Sequence, residues 1–278
     1  MKFLEKSYQS HQNWYQNMSE EERLVLLQES INREDPIEFK KLFPILNPND
    51  TWFTVGDSYG TDAMWLSSHC KEVTATDILK DMIELAQQKG YIKSFSAQNT
   101  EKMTFEDDSF DFACCRDTFH HFPRPYLAVY EMLRCAKKGV VIDEPVDPYI
   151  RMPFLMFICN ILDTKKNPKR SSMFWKNRFS FEIVGNYVYK ISQREFEKMA
   201  MGIALPAIAF YKFNHMRTEN SFKGKVKYFF TTILSALGII PYVRTITILF
   251  RELPDNDTKE ALRKQGYYYY ELPKNPYL

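Results

Sequence analysis

From residue 51 onward, short apolar runs alternate with stretches of helical periodicity, and this alternation limits the fold more than any other feature of the sequence. The runs predicted as the first five strands lie at residues 51–55, 72–76, 94–97, 110–115 and 139–142. Helices are predicted between them at residues 62–70, 80–88 and 126–136. Strands that alternate with helices form right-handed βαβ units, whose parallel strands are covered by helices on both faces. The sequence therefore predicts an α/β fold.

Additions flank and interrupt this alternating unit. The chain has 278 residues, of which 45% are hydrophobic, and this supports one large domain with additions. We predict an N-terminal helical extension at residues 1–48 and a main domain at residues 49–278. Within the main domain, a lid is predicted at about residues 146–190 and a helical insertion at about residues 215–242. Two further strands are predicted at residues 207–213 and 244–250.

Overall charge and cysteine spacing exclude several classes of function. The 37 basic and 35 acidic residues give a net charge of +2 and no basic stripe, so we expect no nucleic-acid partner. The five cysteines form no metal-ligand pattern and suit a reducing compartment, so we expect no metal site. The first residues are charged, and the apolar runs at 152–162 and 229–241 are shorter than the about 20 residues needed to cross a bilayer. We therefore expect a cytoplasmic protein, and its oligomeric state stays open.

The first predicted strand leads into a glycine turn at residues 56–60. A parallel sheet binds its ligand at the carboxyl ends of its strands, and glycine lets the backbone approach a ligand closely. The second strand ends at Asp77, 21 residues after Gly56, where a carboxylate can accept hydrogen bonds from both hydroxyls of a ribose. This pattern favours a ligand that contains adenosine. The spacing from Gly56 to Gly60 departs from G-x-G-x-x-G, and this argues against a nicotinamide-dependent oxidoreductase.

A second group of motifs follows at residues 107–142. It comprises an Asp-Ser-Phe-Asp run at 108–111, the pair His120-His121, and Glu131 spaced three residues from Arg134. With these residues, the chain resembles the class I S-adenosylmethionine-dependent methyltransferases, especially the small-molecule group. The resemblance covers about residues 50–145. It implies a Rossmann-like, seven-stranded, mostly parallel sheet whose last strand is antiparallel, and S-adenosylmethionine as cofactor. The residues after 146 resemble caps of some bacterial members from polysaccharide or natural-product pathways.

The resemblance also implies a set of cofactor-binding residues. The residues that it assigns to the cofactor are Val55, Gly56, Asp57, Gly60, Asp77, Ile78, Gln98, Asn99, Arg116 and Asp117. The glycines would pass under the methionine part, Asp77 would hold the ribose, and Ile78 would pack on the adenine. Residues 98–99 would contact the adenine edge, and residues 116–117 would lie beside the sulfonium and the methyl acceptor. The chain departs from the family at Thr54, where an acidic residue is usual, and at Ser58, where glycine is usual. We expect either that Asp57 supplies the missing carboxylate or that cofactor affinity is reduced.

A general base is needed only if the methyl acceptor is a hydroxyl or a carbon acid. The candidates are His120, His121 and Glu144, which follow the fourth predicted strand or end the fifth. Each has a structural alternative: the histidines could fix their turn by hydrogen bonds, and Glu144 could cap the loop with Pro145. The sequence leaves these alternatives open.

The function predicted from these residues is methyl transfer from S-adenosylmethionine to a small-molecule acceptor. The expected acceptor classes are a sugar, a glycan precursor or a natural-product intermediate. One alternative is a catalytically impaired binding protein, because of Thr54 and Ser58. Another is a lipid-linked or quinone-like acceptor, because the apolar run at 152–162 precedes a basic cluster that could rest on a membrane surface. A core helix with a solvated loop explains that run equally well.

Overall fold

A computed structural model describes residues 8–9, 12–13, 16–32, 37–147, 187–214 and 222–277. The predicted lid therefore lies almost entirely outside the described residues, and the helical insertion begins outside them.

An eight-stranded sheet forms the centre of the protein. Its strands are β1 (Thr51–Val55), β2 (Glu72–Asp77), β3 (Ser94–Ala97), β4 (Phe110–Arg116), β5 (Ala136–Pro145), β6 (Ala207–Phe213), β7 (Arg244–Phe250) and β8 (Tyr268–Glu271). The order across the sheet is β3-β2-β1-β4-β5-β7-β6-β8. The first five strands are mutually parallel, whereas β7 runs antiparallel to both β5 and β6, and β8 runs antiparallel to β6. The α/β class and the mostly parallel sheet are confirmed.

The strand count predicted from the sequence is wrong, because the sheet has eight strands and not seven. The additional strand is β8, which pairs with β6 through Ala207 opposite Glu271 and Phe210 opposite Tyr268. It is only four residues long and lies in the aromatic tail, where four consecutive tyrosines at 267–270 show no alternation of apolar and polar residues. Hydrogen bonding to an existing strand edge, rather than local pattern, determines this strand.

Seven α-helices are described. They are α1 (Glu20–Ile31), α2 (Thr61–Leu66), α3 (Lys80–Gln88), α4 (Pro125–Cys135), α5 (Gln193–Gly202), α6 (Phe222–Ala236) and α7 (Asn256–Gln265). Capping boxes at Ser19 and Ser192 begin α1 and α5. In each, the serine hydroxyl accepts from the third helical amide, and the glutamate at that third position accepts from the serine backbone amide. Residues Ile37–Ile45 and Phe119–His121 form 3-10 helices. Among the described helices, none combines the length and apolar character needed to span a bilayer.

Two apolar layers cover the two faces of the sheet. One contains Trp52 and Trp65, and receives the N-terminal segment through Leu27 and through Phe39, whose ring stacks on Trp65 at 4.7 Å. The other is built from α4, α5 and the opposite sides of β1, β4 and β5. The described cysteines are buried and unpaired, as expected for thiols that act as small core residues.

Strand direction fixes where a ligand can bind. The chain leaves β1 for β2 on one side, whereas β4 pairs with β1 on the other side. Such a reversal opens a crevice at the carboxyl ends of the strands. Residues that follow β1, β2 and β4 therefore meet at one edge of the sheet.

Candidate functional site

The turn after β1 brings backbone to the crevice in a conformation that favours glycine. Gly56 has φ +66° and Gly60 has φ +70°. A Cβ atom at Gly56 would lie 1.9 Å from Cγ2 of Thr118, and one at Gly60 would lie 2.7 Å from Cγ2 of Ile92. The turn is therefore packed against the segment after β4 with no room for a side chain.

We expect Gly56→Ala to destabilise the protein and to weaken cofactor binding. An alanine in the left-handed region costs about 1–2 kcal/mol, and displacement of Thr118 adds about 1–3 kcal/mol of overpacking. Gly90→Ala is the matched control, because Gly90 has φ +79° and open space around it. Urea unfolding should show a loss of roughly 1–2 kcal/mol for the control and more for Gly56→Ala. Equal losses in both variants, with equal cofactor affinity, would contradict the packing argument.

The side chain of Asp57 accepts hydrogen bonds from both ends of the turn. Its carboxylate accepts from the hydroxyl of Thr54 at 2.9 Å and from the backbone amides of Asp62 and Ala63 at 3.3 and 2.8 Å. Burial, and then the neighbouring Asp62, raise the pKa of Asp57 to about 8. Asp57 thus caps the start of α2, and its predicted contact with a cofactor stays a prediction.

Asp77 ends β2 at the mouth of the crevice. Its Oδ1 accepts from the backbone amide of Leu79 at 2.7 Å. The side chain is buried, and burial raises the pKa of Asp77 to about 7, although the amides of Leu79 and Ile78 act in the opposite direction. A carboxylate has about four lone-pair sites, so Asp77 retains capacity for hydroxyl donors from a ligand.

A cleft opens beside Asp77 at this edge of the sheet. Six residues predicted from the sequence line it: Gly56, Asp77, Ile78, Gln98, Asn99 and His121. The structure thus brings together residues from the loops after β1, β2, β3 and β4. Val55 lies in the core at 1% exposure, and Gly60 packs against Ile92 behind the turn.

The loop after β3 is held by its own side chains. The amide group of Gln98 donates to the hydroxyls of Ser96 and Thr104, and its oxygen accepts from the backbone amide of Thr104 at 3.0 Å. Asn99 accepts from the backbone amide of Glu101 at 3.0 Å. These bonds fix the wall of the cleft, so both residues shape the site whether or not they touch an adenine.

Arg116 and Asp117 are drawn into an ion network beside the cleft. Arg116 donates to Asp62 at 2.5–3.2 Å, and Asp117 pairs with Arg244, which also binds Asp143 at 2.9 Å. The Arg244 guanidinium lowers the pKa of Asp117, whereas burial raises the pKa of Asp143 to about 7. Within the described residues, neither Arg116 nor Asp117 lines the cleft. Their predicted place beside the sulfonium therefore stays a prediction.

Glu144 and His120 form a buried pair behind the cleft. Glu144 is fully buried and accepts from the backbone amides of Thr118 and Phe119 at 2.6 and 2.7 Å. Its other oxygen lies 2.6 Å from Nδ1 of His120. The carboxylate of Glu144 thus anchors the 3-10 turn rather than the loop at Pro145, and the role of either residue as a general base stays a prediction. His121, in the same turn, lines the cleft, and the rings of the two histidines lie 4.3 Å apart.

Four further lining residues were missed by sequence reasoning: Tyr8, Thr100, Thr118 and Phe122. Thr118 follows Asp117 directly, yet only the fold shows that its hydroxyl donates to the carbonyl of Gly56 at 3.1 Å. Tyr8 comes from the N-terminal extension, where the sequence shows nothing that would place it over the sheet.

Comparison with known proteins agrees with this geometry. Residues 53–142 match the family model described as a methyltransferase domain. The chain is 31% identical to the uncharacterized methyltransferase YcgJ of Bacillus subtilis over 136 residues, which cover 45% of this chain and 53% of that protein. It is 28% identical to a demethylmenaquinone methyltransferase of Chlorobaculum parvum over 129 residues, 45% of this chain and 52% of that protein.

The fold comparison reaches beyond the matched segment. The crystal structure of YcgJ superposes with a TM-score of 0.50 at 19% identity, covering 81% of this chain and all of that one. The chain spans about half the length of the curated relatives that it matches. Residues 53–142 are therefore similar to a methyltransferase domain, and the chain shares its fold with YcgJ.

Proposed function

We propose that this protein transfers the methyl group of S-adenosylmethionine to a small-molecule acceptor bound in the cleft. The observation that carries the proposal is that Gly56, Asp77 and His121 line one cleft at the point where strand order reverses. These residues come from three separate loops, and together they offer close backbone approach, a ribose acceptor and a titratable group.

The residues of the cleft fit the cofactor. Gly56 leaves no room for a side chain, so its backbone forms the floor of the site. Asp77 would hold the ribose hydroxyls, and Ile78 would pack against the adenine. S-adenosylmethionine supplies a methyl group that its sulfonium already activates for in-line displacement. The protein therefore contributes mainly by holding the acceptor in line, and positioning of this kind can supply roughly 7–11 kcal/mol.

His121 is the proposed general base for a hydroxyl or carbon-acid acceptor. It lines the cleft, whereas His120 and Glu144 hold the turn from behind. We expect His121→Ala to lower kcat about 100-fold while S-adenosylmethionine affinity stays within about threefold, because general bases contribute about 10²–10⁴ to rate. His69→Ala is the control, since His69 stacks on Trp65 away from the lining residues. Unchanged turnover of the true acceptor by His121→Ala would remove this role.

For the acceptor, we propose a sugar, a glycan precursor or a natural-product intermediate. Hydroxyl groups of Thr100 and Thr118 around the cleft support a polar acceptor. A lipid-linked or quinone-like acceptor is the second candidate, favoured by the similarity over 129 residues to a protein named as a demethylmenaquinone methyltransferase. The impaired-protein alternative is weakened by the bond from Thr54 to Asp57, which closes the altered turn.

The experiment that tests the proposal is calorimetric titration of the intact chain with S-adenosylmethionine, S-adenosylhomocysteine and NAD. We expect the first two to bind and NAD not to bind. Absence of binding by S-adenosylmethionine at millimolar concentration would favour the impaired-protein alternative. A screen of cell extracts with radiolabelled S-adenosylmethionine, separated into polar and lipid fractions, would then identify the acceptor class.

A further inference from the structure

The helix α6 turns an apolar stripe toward solvent. Its exposed apolar side chains are spaced three or four residues apart, as on one helical face. They are Val226, Phe229, Phe230 and Ile233, with exposures of 37%, 61%, 58% and 39%. Leu237, Ile239 and Val243, which follow the helix in the sequence, are also exposed, at 68%, 56% and 55%. A soluble surface helix normally buries such a stripe, so this one is available to a partner.

A polar contact holds α6 against the protein. Among the residues of α6 whose burial the structure describes, Gly224 and Ser235 are buried, and the hydroxyl of Ser235 accepts from the side-chain amide of Asn214 at 3.0 Å. The same Asn214 accepts from the backbone amide of Val243 at 3.2 Å. Polar bonds thus fix the helix with its apolar stripe outward, and rotation to bury the stripe would break them.

The charges around the stripe are of one sign. Between residues 221 and 250 the sequence contains no aspartate or glutamate. Lys225 and Lys227 are exposed on the first turns of α6, beside the phenylalanines. The patch therefore combines exposed aromatic rings with exposed basic side chains.

The position of α6 relates it to the cleft. It connects β6 to β7, and Phe213 at the end of β6 pairs with Arg244 at the start of β7. Since β7 is antiparallel to both β5 and β6, the carboxyl end of β6 lies at the same edge as the carboxyl ends of β1, β2 and β4. The apolar stripe and the cleft therefore belong to one edge of the sheet.

We propose that α6 docks this protein on the surface of a bilayer that carries anionic lipids. The aromatic stripe would enter the boundary between headgroups and acyl chains, and Lys225 and Lys227 would lie among the acidic headgroups. A second copy of the chain fits less well, because a twofold contact through the same patch would bring these lysines together. Docking of this kind needs no membrane-spanning helix, and it stands independently of the methyl transfer proposed above.

Vesicle flotation of the intact chain tests the proposal. We expect flotation with vesicles of phosphatidylcholine mixed with phosphatidylglycerol, little with phosphatidylcholine alone, and release at high salt. The double variant Phe229→Ser/Phe230→Ser should bind the anionic vesicles at least about tenfold more weakly, and Lys225→Glu/Lys227→Glu should lose the preference for anionic lipid. Val25→Ser, a change at another exposed apolar residue with 56% exposure, should bind as the unmodified protein does.

Three outcomes would overturn the proposal. The first is an unmodified protein that stays in the lipid-free fraction with both vesicle types. The second is a phenylalanine variant that floats as well as the unmodified protein. The third is a dimer, detected by light scattering, that the phenylalanine variant abolishes while no vesicles are bound, since this would make the patch a contact between copies.

Discussion

Replacing Asp77 by alanine should weaken S-adenosylmethionine binding by roughly 100- to 10,000-fold, because a hydrogen bond to a charged group contributes about 1.5–3 kcal/mol and two such bonds are expected. Calorimetric titration measures this loss directly. Asp81→Ala is the control, since Asp81 is an exposed aspartate on α3 near the same strand. A variant at Asp77 that binds the cofactor within about threefold of the unmodified protein would refute the assigned role.

The same residue predicts a distinctive pH dependence. Burial raises the pKa of Asp77 from 3.8 to about 7, so the folded protein holds this proton more tightly than the unfolded chain does. The contribution of Asp77 to stability is therefore most favourable below pH 3.8 and is lost as pH rises toward 7. Asp77→Asn should remove this loss, so the variant should gain stability relative to the unmodified protein as pH rises from about 4 to 7. Thermal unfolding of both proteins across this pH range checks the predicted change in stability. Titration with the cofactor across the same range should show affinity that increases as Asp77 ionises.

Replacing Glu144 by alanine should lower the free energy of unfolding by about 3–5 kcal/mol. The change removes the acceptor from the partly buried amide of Thr118, the buried amide of Phe119 and the buried ring of His120. Urea unfolding followed by circular dichroism measures the effect. Turnover should fall as well, since Thr118 and His121 lie in the turn that Glu144 anchors.

Two further variants make the Glu144 prediction specific. Glu144→Gln keeps an acceptor oxygen for the two backbone amides and should lose less than half as much stability as the alanine variant. Glu106→Ala, at an exposed glutamate, should change the free energy of unfolding by no more than about 0.5 kcal/mol. Similar small losses for Glu144→Ala and Glu106→Ala would show that Glu144 does not anchor the turn.

Much of the fold could be predicted because its strands are local apolar runs. The predicted bounds of β1, β6 and β7 match the observed strands, and β2 extends one residue further, to Asp77. The helix α2 is shorter than predicted and ends at Leu66, whereas β5 starts earlier, at Ala136, through a polar stretch. The early start of β5 follows from the pairing of Ala136 with Phe110 of β4, which no local pattern shows.

The sequence predicted the site residues that lie directly at the ends of predicted strands. Gly56 and Asp77 follow directly from the ends of strands, and the structure places both in the cleft. Arg116 was assigned from the family resemblance, yet its partner Asp62 lies 54 residues away and holds the guanidinium beside the cleft. Arg116 and Asp62 meet only once the sheet has formed. Sequence spacing therefore cannot show that Asp62 binds the guanidinium in place of a ligand.

The bond between Thr54 and Asp57 predicts energetic coupling between the two positions. The carboxylate of Asp57 accepts from the hydroxyl of Thr54, and both residues are buried. Changing either residue alone leaves the other without this partner. We therefore expect a change of both residues to cost less stability than the sum of the two single changes.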